Sequence, residues 1–135
     1  MLHATTVAIG DAGVLIIGPA GSGKSALALQ LMALGARLVA DDQTCLAATD
    51  AAVVASAPPT LRGMIEARFV GILEAPVRDS VAVRLVVDMG QLETTRLPPR
   101  RTIGVNGRVI DLVFAHPSAH FPAALMCYVA GGRHQ

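Results

Sequence analysis

Tryptophan is absent, and one tyrosine and three phenylalanines are the only aromatics, so Ala, Val and Leu must fill the interior of this 135-residue chain. Charge is also scarce. Asp, Glu, Lys and Arg make up 16% of the residues and nearly cancel, leaving a formal net charge of +1. That balance gives no electrostatic footprint for nucleic acid or for an anionic membrane. Gly, Pro or a charge breaks every apolar run well before the ~20 residues that span a bilayer. Met1-Leu2-His3-Ala4 carries no basic stretch, so no secretory leader is expected. Cys45 and Cys127 lie far apart without Cys-x-x-Cys spacing and are expected to be reduced, buried thiols of a cytoplasmic protein. Lysine occurs once, as Lys24, against ten arginines, at a place where a compact ammonium suits the geometry better than a planar fork.

What is plentiful is apolar sequence. At 53% it exceeds the usual share, which excludes disorder, and one domain over residues 1–135 is long enough to bury a core unaided. Strands are expected at Thr5–Ile9 and Val14–Ile17 around a Gly10–Gly13 turn, and again at Arg37–Ala40, Val53–Ser56, Val81–Val87 and Val109–Phe114. Pro58-Pro59 must end the fourth of these. A helix is expected over Ser25–Leu34 with Gly35 as its cap, and another over Ser118–Val129 starting at a serine cap. Leu61–Leu73, interrupted by Gly63 and Gly71, fits either strand or helix, and Gly90–Arg101 reads as a polar loop. The fold class is α/β, a P-loop-containing sheet with flanking helices in a sandwich, its strand order not legible.

Gly18-Pro19-Ala20-Gly21-Ser22-Gly23-Lys24-Ser25 matches G-x-x-x-x-G-K-[ST] in full, between an apolar strand and a run of helix formers. Glycines let successive N–H groups converge on phosphate oxygens, and the helix start adds its positive dipole end. Lys24 can reach the β and γ phosphates of a donor such as ATP, and the Ser25 hydroxyl can ligate Mg²⁺. Such a loop needs an acidic partner, and two candidates stand at strand ends: Asp41-Asp42 after Leu38-Val39-Ala40, and Asp88 after Arg84-Leu85-Val86-Val87. Adjacent strand residues face opposite ways, so Asp41 and Asp42 are expected to do different jobs. Pattern alone leaves them level with Asp88. His116 and His120 lack the spacing of a metal site.

From His3 to Asp42 the chain closely resembles the catalytic domain of bacterial HPr kinase/phosphorylase, in a short form without the N-terminal domain of the longer enzymes. The likeness rests on His3, Gly13-Val14-Leu15-Ile16 leading into the Gly18–Ser25 loop, and Arg37-Leu38-Val39-Ala40-Asp41-Asp42. Farther on, Ile65-Glu66-Ala67-Arg68-Phe69-Val70-Gly71-Ile72 resembles the family's Leu-Glu-Ile-Arg-Gly-Leu-Gly-Ile, with Phe69 where the family has Gly. Arg96-Leu97 resembles a later Arg-Leu. Ile103–Arg108 resembles only loosely a Pro-containing segment associated with the reverse reaction.

The resemblance implies the fold shared with the nucleotide domain of PEP carboxykinase, and a hexamer. It implies ATP-dependent phosphorylation of a serine on the phosphocarrier protein HPr, reversible by inorganic phosphate with release of pyrophosphate. It makes Asp42 the base, with His3 acting beside Asp41 and Asp42. Ser25 and Glu66 become Mg²⁺ ligands, Lys24 and the loop amides hold the phosphates, and Arg96 neutralises charge on the transferring group. It leaves Asp88 no catalytic part. Two rivals stay open: a small-molecule kinase and a non-catalytic nucleotide sensor.

Overall fold

The computed structural model describes residues 1–134. In chain order it comprises β1 (Thr5–Ile9), β2 (Ala12–Ile17), α1 (Lys24–Ala33), β3 (Arg37–Ala40), β4 (Cys45–Ala48), β5 (Val53–Ser56), β6 (Met64–Ala67), β7 (Gly71–Glu74), β8 (Ser80–Leu92), β9 (Arg101–Val105), β10 (Arg108–Ala115) and α2 (Phe121–Gly131). The main sheet runs β3-β1-β2-β8-β10-β9, with β5 on the early part of β8 and β4 on β5. β8 is its spine. It runs parallel to β2 and β10 and antiparallel to β5. β6 and β7 form a separate two-stranded antiparallel ribbon.

The expected α/β class holds, a large sheet with flanking helices, and both helices lie together on one of its faces. Leu27, Ala28 and Leu31 of α1 and Leu125 of α2 share one core with Val7, Val14, Ile16, Leu85 and Val87, so both helices lie on one face. On the opposite face Leu15, Val83 and Val86 pack with Val53 and Ala55 of β5 and with Val105. Alternation along β2 and along Leu85–Val87 produces this division, because neighbouring residues point to opposite faces, and an irregularity in the β2–β8 register between Val83 and Leu85 turns Val83 to the second face. Leu15, Leu31 and Leu85 are fully buried, each contributing about 1.5–3 kcal/mol of transfer free energy.

Several boundaries differ from the sequence expectation. The first turn is shorter: Ile9 pairs with Ala12, so Gly13 lies within β2, where a Cβ would come within 2.7 Å of Val81 and 2.8 Å of the Ala82 carbonyl. Glycine there lets β2 and β8 approach closely. α1 ends as expected at Gly35 (φ 109), whose N–H donates to the Met32 carbonyl while that of Ala36 donates to Leu31. These two bonds make a Schellman cap.

Leu61–Leu73 resolves mainly into the β6–β7 ribbon, and β4 is a strand that no sequence pattern announced. β8 continues to Leu92 and β9 begins at Arg101, which shortens the expected polar loop to residues 93–100. α2 starts at Phe121, not Ser118, and His120 stands at its N-cap without a side-chain bond. Pro122 in the first turn needs no acceptor for a missing N–H, which favours that start. Cys45 and Cys127 are both free, but Cys127 is exposed, contrary to the expectation of two buried thiols. Among the described residues no helix is long and apolar enough to cross a membrane.

Candidate functional site

Residues 18–23 link the C-terminal end of β2 to α1, which begins at Lys24. Gly18, Gly21 and Gly23 all have positive φ (144, 80 and 96). Gly18 also has no room for a side chain: a Cβ would lie 2.7 Å from the Ser22 hydroxyl and 3.0 Å from Met89. The loop closes on itself through Ser22 N–H donating to the Pro19 carbonyl at 3.1 Å. The Lys24 side chain is buried, and its ammonium donates to the carbonyls of Gly18 (2.9 Å) and Pro19 (3.1 Å). The Ser22 hydroxyl is buried without a partner. No acidic residue occupies the first turn of α1, so its N-terminal dipole end is not offset.

The paired aspartates part ways after β3. Asp41 turns inward. One carboxylate oxygen accepts from the Ser25 hydroxyl at 2.6 Å and from Thr5 at 3.0 Å, and the other accepts from the Glu66 N–H at 3.1 Å. Asp42 takes a left-handed conformation (φ 67), which a short polar side chain tolerates. Its N–H donates to the Thr5 hydroxyl, and its exposed carboxylate meets His3 Nε2 at 2.5 Å. His3 is held by its neighbour, since Leu2 exchanges two main-chain hydrogen bonds with Thr44 (2.8 and 2.9 Å). The Thr44 hydroxyl in turn donates to the Ala4 carbonyl.

Lys24, Ser25, Asp42, Glu66 and Arg68 line one cavity of about 530 Å³ beside the loop. The β6–β7 ribbon supplies the last two. Arg68 received no role from the sequence, because nothing local to it shows which way its ribbon folds. Phe69 beside it has φ 69 and a fully exposed ring.

Arg96 is not on this wall. It lines a second cavity, also about 530 Å³, with Phe114, His116 and His120. Its loop is anchored by Glu93, which pairs with Arg101 and accepts from the N–H groups of Thr94 and Thr95. The Arg101 guanidinium stacks 4.1 Å from the Phe114 ring centre. Its hydrogen bond to Glu93 holds that carboxyl below the ordinary carboxylate range. Asp88 accepts the Gly90 N–H at 2.8 Å and does not line the first cavity.

A polyphosphate suits this cradle. Its glycine backbone leaves room for anion oxygens, one hydroxyl lacks a partner, and a buried ammonium stands at the helix start. Ser25, Glu66 and Asp42 offer hard oxygen donors. Among the described residues no cluster of three metal-ligating side chains forms, yet Mg²⁺ held through substrate phosphates needs only one or two protein oxygens.

Residues 1–105 match the family model described as HPr Serine kinase C-terminal domain. An HPr kinase/phosphorylase of Lacticaseibacillus casei (strain BL23) is 32% identical over 155 residues, covering 96% of this chain and 49% of that protein. One from Clostridium tetani is 40% identical over 75 residues, covering 56% of this chain and 25% of that protein. The chain thus spans half or less of the length of these curated relatives. The solved Hpr(Ser) kinase/phosphatase from Coxiella burnetii superposes with a TM-score of 0.79 at 27% identity, covering 95% of this chain and 87% of that one. On these grounds the chain belongs to the HPr serine kinase C-terminal domain family.

Proposed function

We propose that this protein transfers the γ-phosphoryl group of ATP, with Mg²⁺, to a serine of HPr or an HPr-like phosphocarrier. The observation that carries the reading is the placement of the exposed Asp42 carboxylate, bonded to His3, on the same cavity as Lys24 and Ser25. Asp42 takes the proton of the incoming serine hydroxyl, and His3 orients it. Lys24, the loop N–H groups and the start of α1 offset the charge of the phosphates. Ser25 and Glu66 would hold Mg²⁺, which when bound neutralises charge on the phosphate oxygens. In the reverse direction Asp42 returns a proton to the departing serine oxygen while inorganic phosphate accepts the phosphoryl group as pyrophosphate.

Two arginines compete for the charge-neutralising part: the resemblance favours Arg96, the cavity wall Arg68. Comparing kcat for Arg68→Ala and Arg96→Ala separates them. A hexamer and a cytoplasmic setting accompany the reading through the resemblance, and light scattering tests the first.

The decisive assay mixes the protein with labelled ATP, Mg²⁺ and purified HPr and maps the label. Phosphoserine on the carrier is the expected product. Nucleotide binding without any transfer to the carrier would leave a sensor or a small-molecule kinase instead. Adding inorganic phosphate to serine-phosphorylated carrier tests the return reaction.

A further inference from the structure

A third cavity, of about 490 Å³, lies on the face of the sheet opposite the helices. Its walls are mainly apolar: Leu15, Ile17, Leu46, Val86, Ile103 and Val105. His3 and Gly18 also line it, beside Met1, Leu2, Gly104 and Asn106, placing it against both the catalytic pair and the first residue of the phosphate loop. Asp42 lines the phosphate cavity and His3 lines this one, while the two side chains bond to each other at 2.5 Å. The cavities are therefore joined through the His3–Asp42 pair.

We infer that this cavity is the acceptor subsite, receiving an apolar side chain of the partner protein next to the serine that is phosphorylated. The inference rests on the kinase reading above and adds to it what surrounds the acceptor serine. Direction supports it. The phosphate cavity is lined by Asp42 and also by Ala26 and Leu29 of α1, so a donor whose reactive end lies at Asp42 has that helix to receive its remainder. In-line transfer brings the nucleophile from the side opposite the leaving group. His3, bonded to Asp42, lines the apolar cavity and so connects the base to it.

A nucleobase is the other flat, apolar guest such a space could take. Seating it there would make the polyphosphate enter the loop from the Gly18 end. Its terminal phosphate would then point toward Leu29, away from Asp42 and His3. The arrangement of the two cavities favours the acceptor.

Leu46 and Ile103 are half-buried rim residues remote from the phosphate loop in sequence, which makes them suitable probes. With purified HPr as acceptor, Leu46→Gln and Ile103→Gln should each raise the acceptor KM about tenfold or more, since a lost apolar contact has that size. Affinity for a fluorescent ATP analogue should stay within twofold of wild type. Ile103→Trp, which fills the space rather than loosening it, gives the same readout if either glutamine variant fails to fold. An unchanged acceptor KM in folded variants overturns the inference, as does an equal loss of ATP-analogue affinity, which would put the base there. Absence of any serine phosphorylation by the wild type would instead bring down the underlying kinase reading.

Discussion

The two walls of the cavity beside the Gly18–Ser25 loop are held in very different ways. One wall, made by the Gly18–Ser25 loop and Asp41-Asp42, hangs on strands of the eight-stranded sheet, and the core beneath α1 is fully buried. The other is the β6–β7 ribbon, two strands long, with Phe69, Val70 and Ile72 exposed. Two-stranded ribbons are marginal alone. This one is tied to the rest by Ile65 in the main core, by the Leu38 N–H donating to the Pro76 carbonyl just beyond β7, and by the Glu66 N–H on Asp41. The contrast gives the loop of the proposed phosphate site a rigid support and places Glu66 and Arg68 on the wall at the low-stability end of the molecule.

The sharpest blow to the rigid wall is Asp42→Asn. Serine phosphorylation should fall about a thousandfold, within the range of general-base contributions, while nucleotide affinity is retained. Single-turnover transfer and equilibrium titration measure the two, and unimpaired transfer would remove Asp42 from its role. Asp41→Ala tests the tie between the walls. Losing three hydrogen bonds to a carboxylate should lower unfolding stability by about 2–3 kcal/mol in urea, and the Glu66 amide should exchange faster. Equal protection of that amide in both proteins would mean the ribbon stands without Asp41.

Phe69→Gly acts on the weak wall alone. Relief of the left-handed backbone slightly outweighs the added freedom of the unfolded chain, so stability should rise by about 0.5 kcal/mol. A drop in stability would show that the exposed ring has a partner within the fold.

The smallest effect belongs to Glu93→Gln, on a loop outside both walls. Glu93 has a depressed folded pKa, so its contribution is present above the ordinary carboxylate value and is lost as pH falls through the folded value. The variant should unfold at lower urea than wild type at neutral pH, with the gap closing in strong acid. A gap independent of pH would show that ionisation of Glu93 is irrelevant.

Local pattern explains which parts of this architecture were legible beforehand. Thr5–Ile9, Arg37–Ala40 and Val53–Ser56 are strands with the expected bounds, because Gly10, Gly35 and Pro58 punctuate short apolar runs unambiguously. The ribbon was ambiguous because Gly63 and Gly71, both at positive φ, lie at its turns and interrupt either periodicity. The final helix began later because Pro122 outweighed the serine three residues before Phe121.

The Gly18–Ser25 loop is contiguous in sequence, so its strand–loop–helix setting could be anticipated. Strand alternation foretold that Asp41 and Asp42 would face apart. Which of them met Ser25 and which met His3 depended on the left-handed turn at Asp42, which no neighbour in sequence specifies. The placements of Arg68 and Arg96 were likewise matters of tertiary structure, each decided by how a hairpin or loop far from the P-loop folds back.

The bond from the Ser25 hydroxyl to Asp41 has a directional consequence. A hydroxyl has one hydrogen, and here the carboxylate claims it at 2.6 Å. The oxygen's lone pairs are left to point elsewhere, so Ser25 faces any cation already turned to the orientation a ligand needs. Freezing that rotor in advance removes a search that binding would otherwise have to complete.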